Sequence, residues 1–236
     1  MFHRLDSARI LETTQSLARR VGERFPESAL RLVAEDLAAM CQATMAESDW
    51  FRRPQWLLRF GVALSVILLV FVFGLTVVAV IRLPSGATAT DVIQAIDAGV
   101  NELVFLGIAV YFLSGLENRR KRTRALKALH RFRSMAHIID LHQLHKDPDR
   151  IAHPDAGSDT PSSPPRDLTP FELSRYLDYC SEMLSILGKT AALYAQDFDD
   201  SVTLSAVNDI ETLTTGLSSK IWQKIMILDR QLPNGG

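Results

Sequence analysis

The chain has 236 residues, with 26 basic and 27 acidic side chains and a formal net charge of −1. That balance excludes a general nucleic-acid binder, which needs a basic excess, so no nucleic-acid partner is expected. The two cysteines, Cys41 and Cys180, lie too far apart in sequence for a Cys-x-x-Cys metal or redox motif, and both read as small buried thiols in a reducing compartment.

Residues 1–49 predict two helices. Ser7 to Glu23 is amphipathic, with Ala8, Leu11, Ala18 and Val21 near one face. Gly22 and Pro26 break it, and Pro26 suits the first turn of a second helix. In that second helix Leu30, Val33, Leu37, Met40 and Thr44 form a heptad-like seam. No secretory leader is expected, because the first long apolar run begins only near residue 56.

Residues 50–118 predict a pair of transmembrane helices. Phe60 to Ile81 is 22 residues without a charge, about 33 Å of helix and enough for the hydrocarbon core. Trp50, Phe51 and Trp56, interleaved with Arg52 and Arg53, mark an interface ahead of it. Arg82, Pro84 and Gly86 open a short loop. The second span is expected over Val92 to Leu116, capped by Thr90; its wholly apolar run, Leu103 to Leu116, is only 14 residues long. Arg52, Arg53 and Arg59 flank the first span and Arg119, Arg120, Lys121, Arg122, Arg124 and Lys127 follow the second, while the connecting loop holds only Arg82. The positive-inside rule then predicts an inner-membrane protein with both termini in the cytoplasm.

Residues 119–147 predict a stem that continues the second span, since no glycine or proline occurs from Leu116 until Pro148. Its apolar seam is Ala125, Ala128, Phe132, Met135, Ile139 and His142, and its opposite face carries His130, Arg133, His137 and Asp140. Residues 148–170 are rich in Pro, Ser, Asp and Gly and read as a disordered linker. Residues 171–236 predict a helical hairpin: Leu173, Leu177, Cys180, Leu184, Leu187, Ala191 and Tyr194 line one helix, and Ile210, Leu213, Leu217, Ile221, Ile225 and Leu228 line the next, with Trp222 adjacent. The fold class expected is an all-α membrane protein, a transmembrane helical hairpin with a cytoplasmic helical bundle.

Three sets of residues suggest chemistry. His137, Asp140 and His130 share a helix face and offer imidazole and carboxylate donors for a transition metal; the alternative is polar decoration of the stem. Asp97, Asn101 and Glu102, extended by Gln94, fall in the outer part of the second span, where they either line a pore in an oligomer or sit solvated at the interface. Arg119, Arg120, Lys121, Arg122 and Arg124 suit anionic lipid, or simply fix topology. No phosphate-binding loop, nucleophile elbow or kinase signature is present, and the sequence names no cofactor.

The strings Arg133-Ser134-Met135-Ala136-His137-Ile138-Ile139-Asp140-Leu141-His142-Gln143-Leu144 and Tyr176-Leu177-Asp178-Tyr179-Cys180-Ser181-Glu182-Met183-Leu184-Ser185 resemble those of an uncharacterised family of bacterial two-span membrane proteins. The resemblance implies most of the layout and no activity. In layout alone the chain is similar to small two-span defence effectors that act on membranes. The leading expectation is a non-enzymatic membrane protein whose cytoplasmic helices serve as an oligomerisation or partner-binding platform. An oligomeric ion-conducting protein, and a metal sensor or metal-dependent enzyme using His137 and Asp140, stay open.

Overall fold

The computed structural model describes residues 4–52, 56–82, 88–148, 160–163 and 167–231. All extended secondary structure among them is α-helical: α1 (Ser7–Arg24), α2 (Ala29–Arg52), α3 (Trp56–Ile81), α4 (Ala89–Leu144), α5 (Pro170–Asp197) and α6 (Ser201–Gln231). The chain divides into two compact units, Met1–Arg52 with Arg124–Gly236, and Arg53–Thr123. The linker expected over residues 148–170 and the loop around Pro84 and Gly86 lie largely outside the described residues.

The larger unit encloses a core built by α1, α2, the last five turns of α4, α5 and α6. Asp6 caps α1 by accepting from the backbone N–H groups of Ala8 and Arg9 at 3.0 and 3.3 Å. The buried face of α1 is Thr14, Leu17 and Val21, with Leu11 and Ala18 at its edges, whereas Ala8 is exposed. Of the expected stripe only Val21 is therefore buried: the buried line passes through Thr14 and Leu17 and is rotated round the helix from the expected one, which turns Ala8 to the outside. Phe25 closes the helix edge-on to Tyr176 and Tyr179, with ring centres at 5.5 and 6.2 Å. Pro26 stays in the turn, three residues ahead of α2.

The seams on α2, α4 and α5 are buried as their spacing demanded. Leu30, Leu37, Ala125, Phe132, Ile139, Leu177, Cys180 and Leu184 are all nearly inaccessible. Thr169 and Glu172 form a reciprocal capping box at the start of α5, and Pro170 occupies the first turn, where its missing N–H costs nothing. Asp200 caps α6 by accepting from the backbone and hydroxyl of Thr203, each at 3.0 Å. The short connection between them returns α6 along α5, and Gly188 lets the two helices approach: a methyl group there would lie 3.0 Å from Thr214 Oγ1. On α6 the buried line is Thr203, Val207, Ile210, Thr214, Leu217, Ile221, Ile225 and Leu228. Trp222 points outward, 53% exposed.

The smaller unit has the opposite surface. On α3, Phe60, Ile67, Leu68 and Phe71 are exposed, and so are Ile96, Phe105 and Phe112 on α4. Half-buried positions recur on α3 at Val62, Val66, Leu69, Phe73, Thr76 and Val80, one face at three- and four-residue spacing. Both α3 and α4 are long and apolar enough to cross a membrane. Thr88, not Thr90, begins α4: its N–H and hydroxyl both donate to Asp91 Oδ2 at 2.8 Å, leaving Thr90 inside the first turn. From there α4 continues without a break through the stem to Leu144, because nothing in that stretch removes a backbone donor.

Candidate functional site

The polar residues of the second span separate into two groups. Glu102 is half-buried and accepts from Thr76 Oγ1 of α3 at 2.9 Å. Thr76 lies about 24 Å along α3 from Phe60, and Glu102 about 23 Å along α4 from Glu117. A hydrocarbon core of about 30 Å bounded by those residues would contain the pair. Asp97 and Asn101 face away from α3, both exposed, with Asn101 Nδ2 3.5 Å from Asp97 Oδ2. The three residues do not share one face: Glu102 joins the helix pair, and Asp97 with Asn101 points outward beside the exposed Gln94.

The basic block is partly engaged within the chain. Lys121 is buried and pairs with Glu117 one turn earlier at 3.0 Å. The Arg119 guanidinium lies over the Phe112 ring, 5.3 Å from its centre. Arg124 reaches Glu47 on α2 at 3.5 Å. Arg120 and Arg119 are exposed and Arg122 half-buried. Of the interfacial belt expected before α3, only the Trp56 side chain is described, and it is 75% exposed; Trp50, Phe51, Arg52 and Arg59 have no described side chain, and Arg53 lies outside the described residues.

His130 and His137 are exposed on α4, while Asp140 is half-buried and accepts from Gln143 Nε2 at 2.6 Å. Among the described residues no group of three or more His, Cys, Asp or Glu side chains is arranged to hold a metal ion. The helix period explains this: one face of one helix supplies these donors, and α6 brings the Lys224 amine near Asp140. Lys224 Nζ donates to the backbone carbonyls of Gln143 at 2.9 Å and Lys146 at 3.1 Å, capping the end of α4. Burial holds the Lys224 amine below its ordinary range, partly offset by Asp147 and Asp140.

His142 closes the α4 seam half-buried, and its carbonyl accepts from the Tyr176 hydroxyl at 3.4 Å. Burial lowers the His142 pKa below its usual 6.5. The unfolded chain therefore takes up a proton at a higher pH than the folded chain does. The stability tied to neutral His142 is present above pH 6.5 and is lost as pH falls through the folded value. Thermal melts from pH 7.5 to 5 are expected to show a fall in Tm that flattens in His142→Gln; an unchanged slope would show that another group carries it.

Burial pushes the Cys180 thiol up to about 12, so it stays protonated and inert at neutral pH. Cys41 is also raised by burial, and sits in a buried contact chain with Thr14 of α1 at 3.6 Å and Thr190 of α5 at 3.2 Å.

Glu47 is a junction residue that period and propensity do not reveal. It is largely buried, and its Oε2 accepts from the Tyr194 hydroxyl of α5 at 2.6 Å. Its Oε1 faces Arg124 and Arg131 of α4 at 3.5 and 4.0 Å. Burial and this hydrogen bond push the Tyr194 phenol up. One carboxylate thus joins α2, α4 and α5. Glu47→Gln keeps the shape but removes the charge, and is expected to cost about 1.5–3 kcal/mol, the usual worth of a hydrogen bond to a charged group. Denaturant unfolding checks it, and a loss equal in the Tyr194→Phe background would show that the two side chains are not coupled.

A groove between α2 and α4 also escapes the period analysis. It encloses about 350 Å³ and is lined chiefly by Asp36, Ala39, Ala43, Ala128, Arg131 and Phe132. A usable signal does exist in the sequence: Leu32, Asp36, Ala39, Ala43 and Ala46 repeat at 4-3-4-3 on the outer face of α2, a second seam beside the buried one.

No protein-family model matches the chain, and comparison with curated proteins and with solved structures finds no significant match.

Proposed function

We propose that this protein is a non-enzymatic, membrane-anchored helical platform of the plasma (inner) membrane, with both termini in the cytoplasm. One observation carries the reading: the chain divides into a unit that encloses its own apolar core and a two-helix unit whose large apolar side chains lie exposed. An exposed apolar surface on both helices suits lipid rather than water. The arginines flanking α3 and following α4 support a shared cytoplasmic side. The heptad seams satisfy one another inside the helical unit, so partners are left to its outer surfaces. Alkaline extraction of membranes, combined with terminal reporter fusions, tests the reading. Release of the chain into the supernatant, or a terminus reporting from the outer side, would overturn it.

The outward pair Asp97 and Asn101 favours a second reading, an oligomeric ion-conducting protein. Exposed polar groups at that depth suit a water-filled path or a neighbouring subunit. Ion flux into liposomes carrying the purified protein tests it, and flux unchanged by Asp97→Ala with Glu102→Ala counts against it.

A further inference from the structure

We propose that two copies of this chain pair through the groove between α2 and α4, the acidic lip of each against the basic lip of the other. The inference rests on the platform reading above and names its partner. The floor of the groove is small and apolar, with Ala39 and Ala43 from α2 and Ala128 from α4. Small side chains at a contact let helices approach closely. The two lips have opposite charge. Asp36 lines the groove from α2 and Arg131 from α4, both exposed, with Glu35 and Lys127 exposed nearby in sequence on the same helices. Glu35 is held by Arg31 at 2.6 Å. Asp36 and Lys127 make no ion pair among the described residues.

Charge selects the occupant. An anionic lipid surface would meet Arg131 but be repelled by Asp36 on the same groove. An uncharged apolar segment would leave Asp36 unmatched, and Arg131 with only its 4.0 Å contact to Glu47. A second copy supplies both signs in the required order, as an isologous interface does. Symmetry narrows the geometry further. α2 and α4 lie side by side, with Glu47 near Arg124 and Asp36 lining the same groove as Met135. A two-fold axis along the helices sets the α2 of one copy on the α4 of the other. An axis across them would oppose Asp36 to Asp36 and Arg131 to Arg131.

The groove residues by themselves fall short of the roughly 800 Å² per partner of a standard interface. Confinement of both copies to one bilayer raises their effective concentration, so a modest contact suffices.

The test is the mass of the full-length protein in mild detergent over a dilution series, by light scattering. The wild type is expected to be a dimer. Asp36→Arg and Arg131→Asp should each raise the dissociation constant about tenfold or more, and the two together should bring it back near the wild-type value. Ala43→Trp, an exposed position, should block the trough while leaving helicity and melting unchanged. Because Arg131→Asp brings a second carboxylate towards Glu47, Ala43→Trp decides alone if that variant unfolds. A monomeric wild type, single variants that dimerise normally, or Ala43→Trp pairing like the wild type would each overturn the proposal. Alkaline extraction separates it from the reading it rests on. A chain that is monomeric yet stays in the membrane removes the pairing and keeps the anchor. A dimer released by alkali removes the anchor and keeps the pairing.

Discussion

Phe132→Ala is expected to remove about 3–5 kcal/mol of stability, the range for truncating a buried aromatic side chain. The Phe132 ring is 1% exposed and lies edge-on to Tyr194, with centres 6.2 Å apart. It therefore fastens the lower part of α4 to α5, in line with Ala128, Met135 and Ile139 on the same buried face. Truncation deletes the apolar area and the aromatic contact together, and leaves a cavity among helices already fixed by neighbouring seams. Phe132→Leu, which keeps most of the volume, should cost no more than about 1.5 kcal/mol. Denaturant unfolding of the detergent-purified chain, followed by helicity, gives both values. A loss under about 1 kcal/mol for the alanine variant would mean that α4 is not docked on α5 as described.

A single arginine should have very different effects in the two apolar helices. Ile108→Arg places a charge near the middle of the 14-residue apolar run of α4, at a side chain that is 53% exposed. A charge at the centre of a span costs about 2.5–3.5 kcal/mol on insertion scales. At about 1.4 kcal/mol per decade that is roughly a hundredfold in the insertion equilibrium. The run is only about 21 Å long and has Glu102 at its outer end, so α4 has little margin to absorb the cost. Leu68→Arg imposes the same charge on α3, whose 22 uncharged residues leave a larger reserve. Integration into isolated membranes, scored by a reporter beyond each helix, should collapse for Ile108→Arg and persist for Leu68→Arg. Normal integration of the α4 variant would end the two-span interpretation.

Most of the helices were legible in the sequence because apolar periodicity and chain breakers act locally. The α5 seam from Leu173 to Tyr194 and the α4 seam from Ala125 to Ile139 follow from spacing, and each is buried where spacing put it. The misreadings occurred at one helix end, decided by a pair of local hydrogen bonds, and on one helix face. Thr88 and Thr90 are equally good caps by composition, and only the reach of the Asp91 carboxylate distinguishes them. Ala8 was placed on the apolar stripe of α1, but the buried line runs through Thr14, Leu17 and Val21 and leaves Ala8 on the other side. The metal reading had a comparable weakness, because one helix face can supply two or three donors while a closed coordination shell needs ligands from another element.

What the sequence determined alone is what depends on composition along the chain: helices throughout, two of them apolar enough for lipid, and most of the stripe that α2, α4, α5 and α6 bury. Tertiary structure alone decided which stripes meet, that Glu47 stands between Tyr194 and two arginines, that Lys224 caps the end of α4, and that Asp36 and Arg131 face one groove. The physical reason is range. Helix formation and partition into lipid are set by residues within a few turns, whereas a charge acquires its partner only when packing brings together positions tens to more than a hundred residues apart.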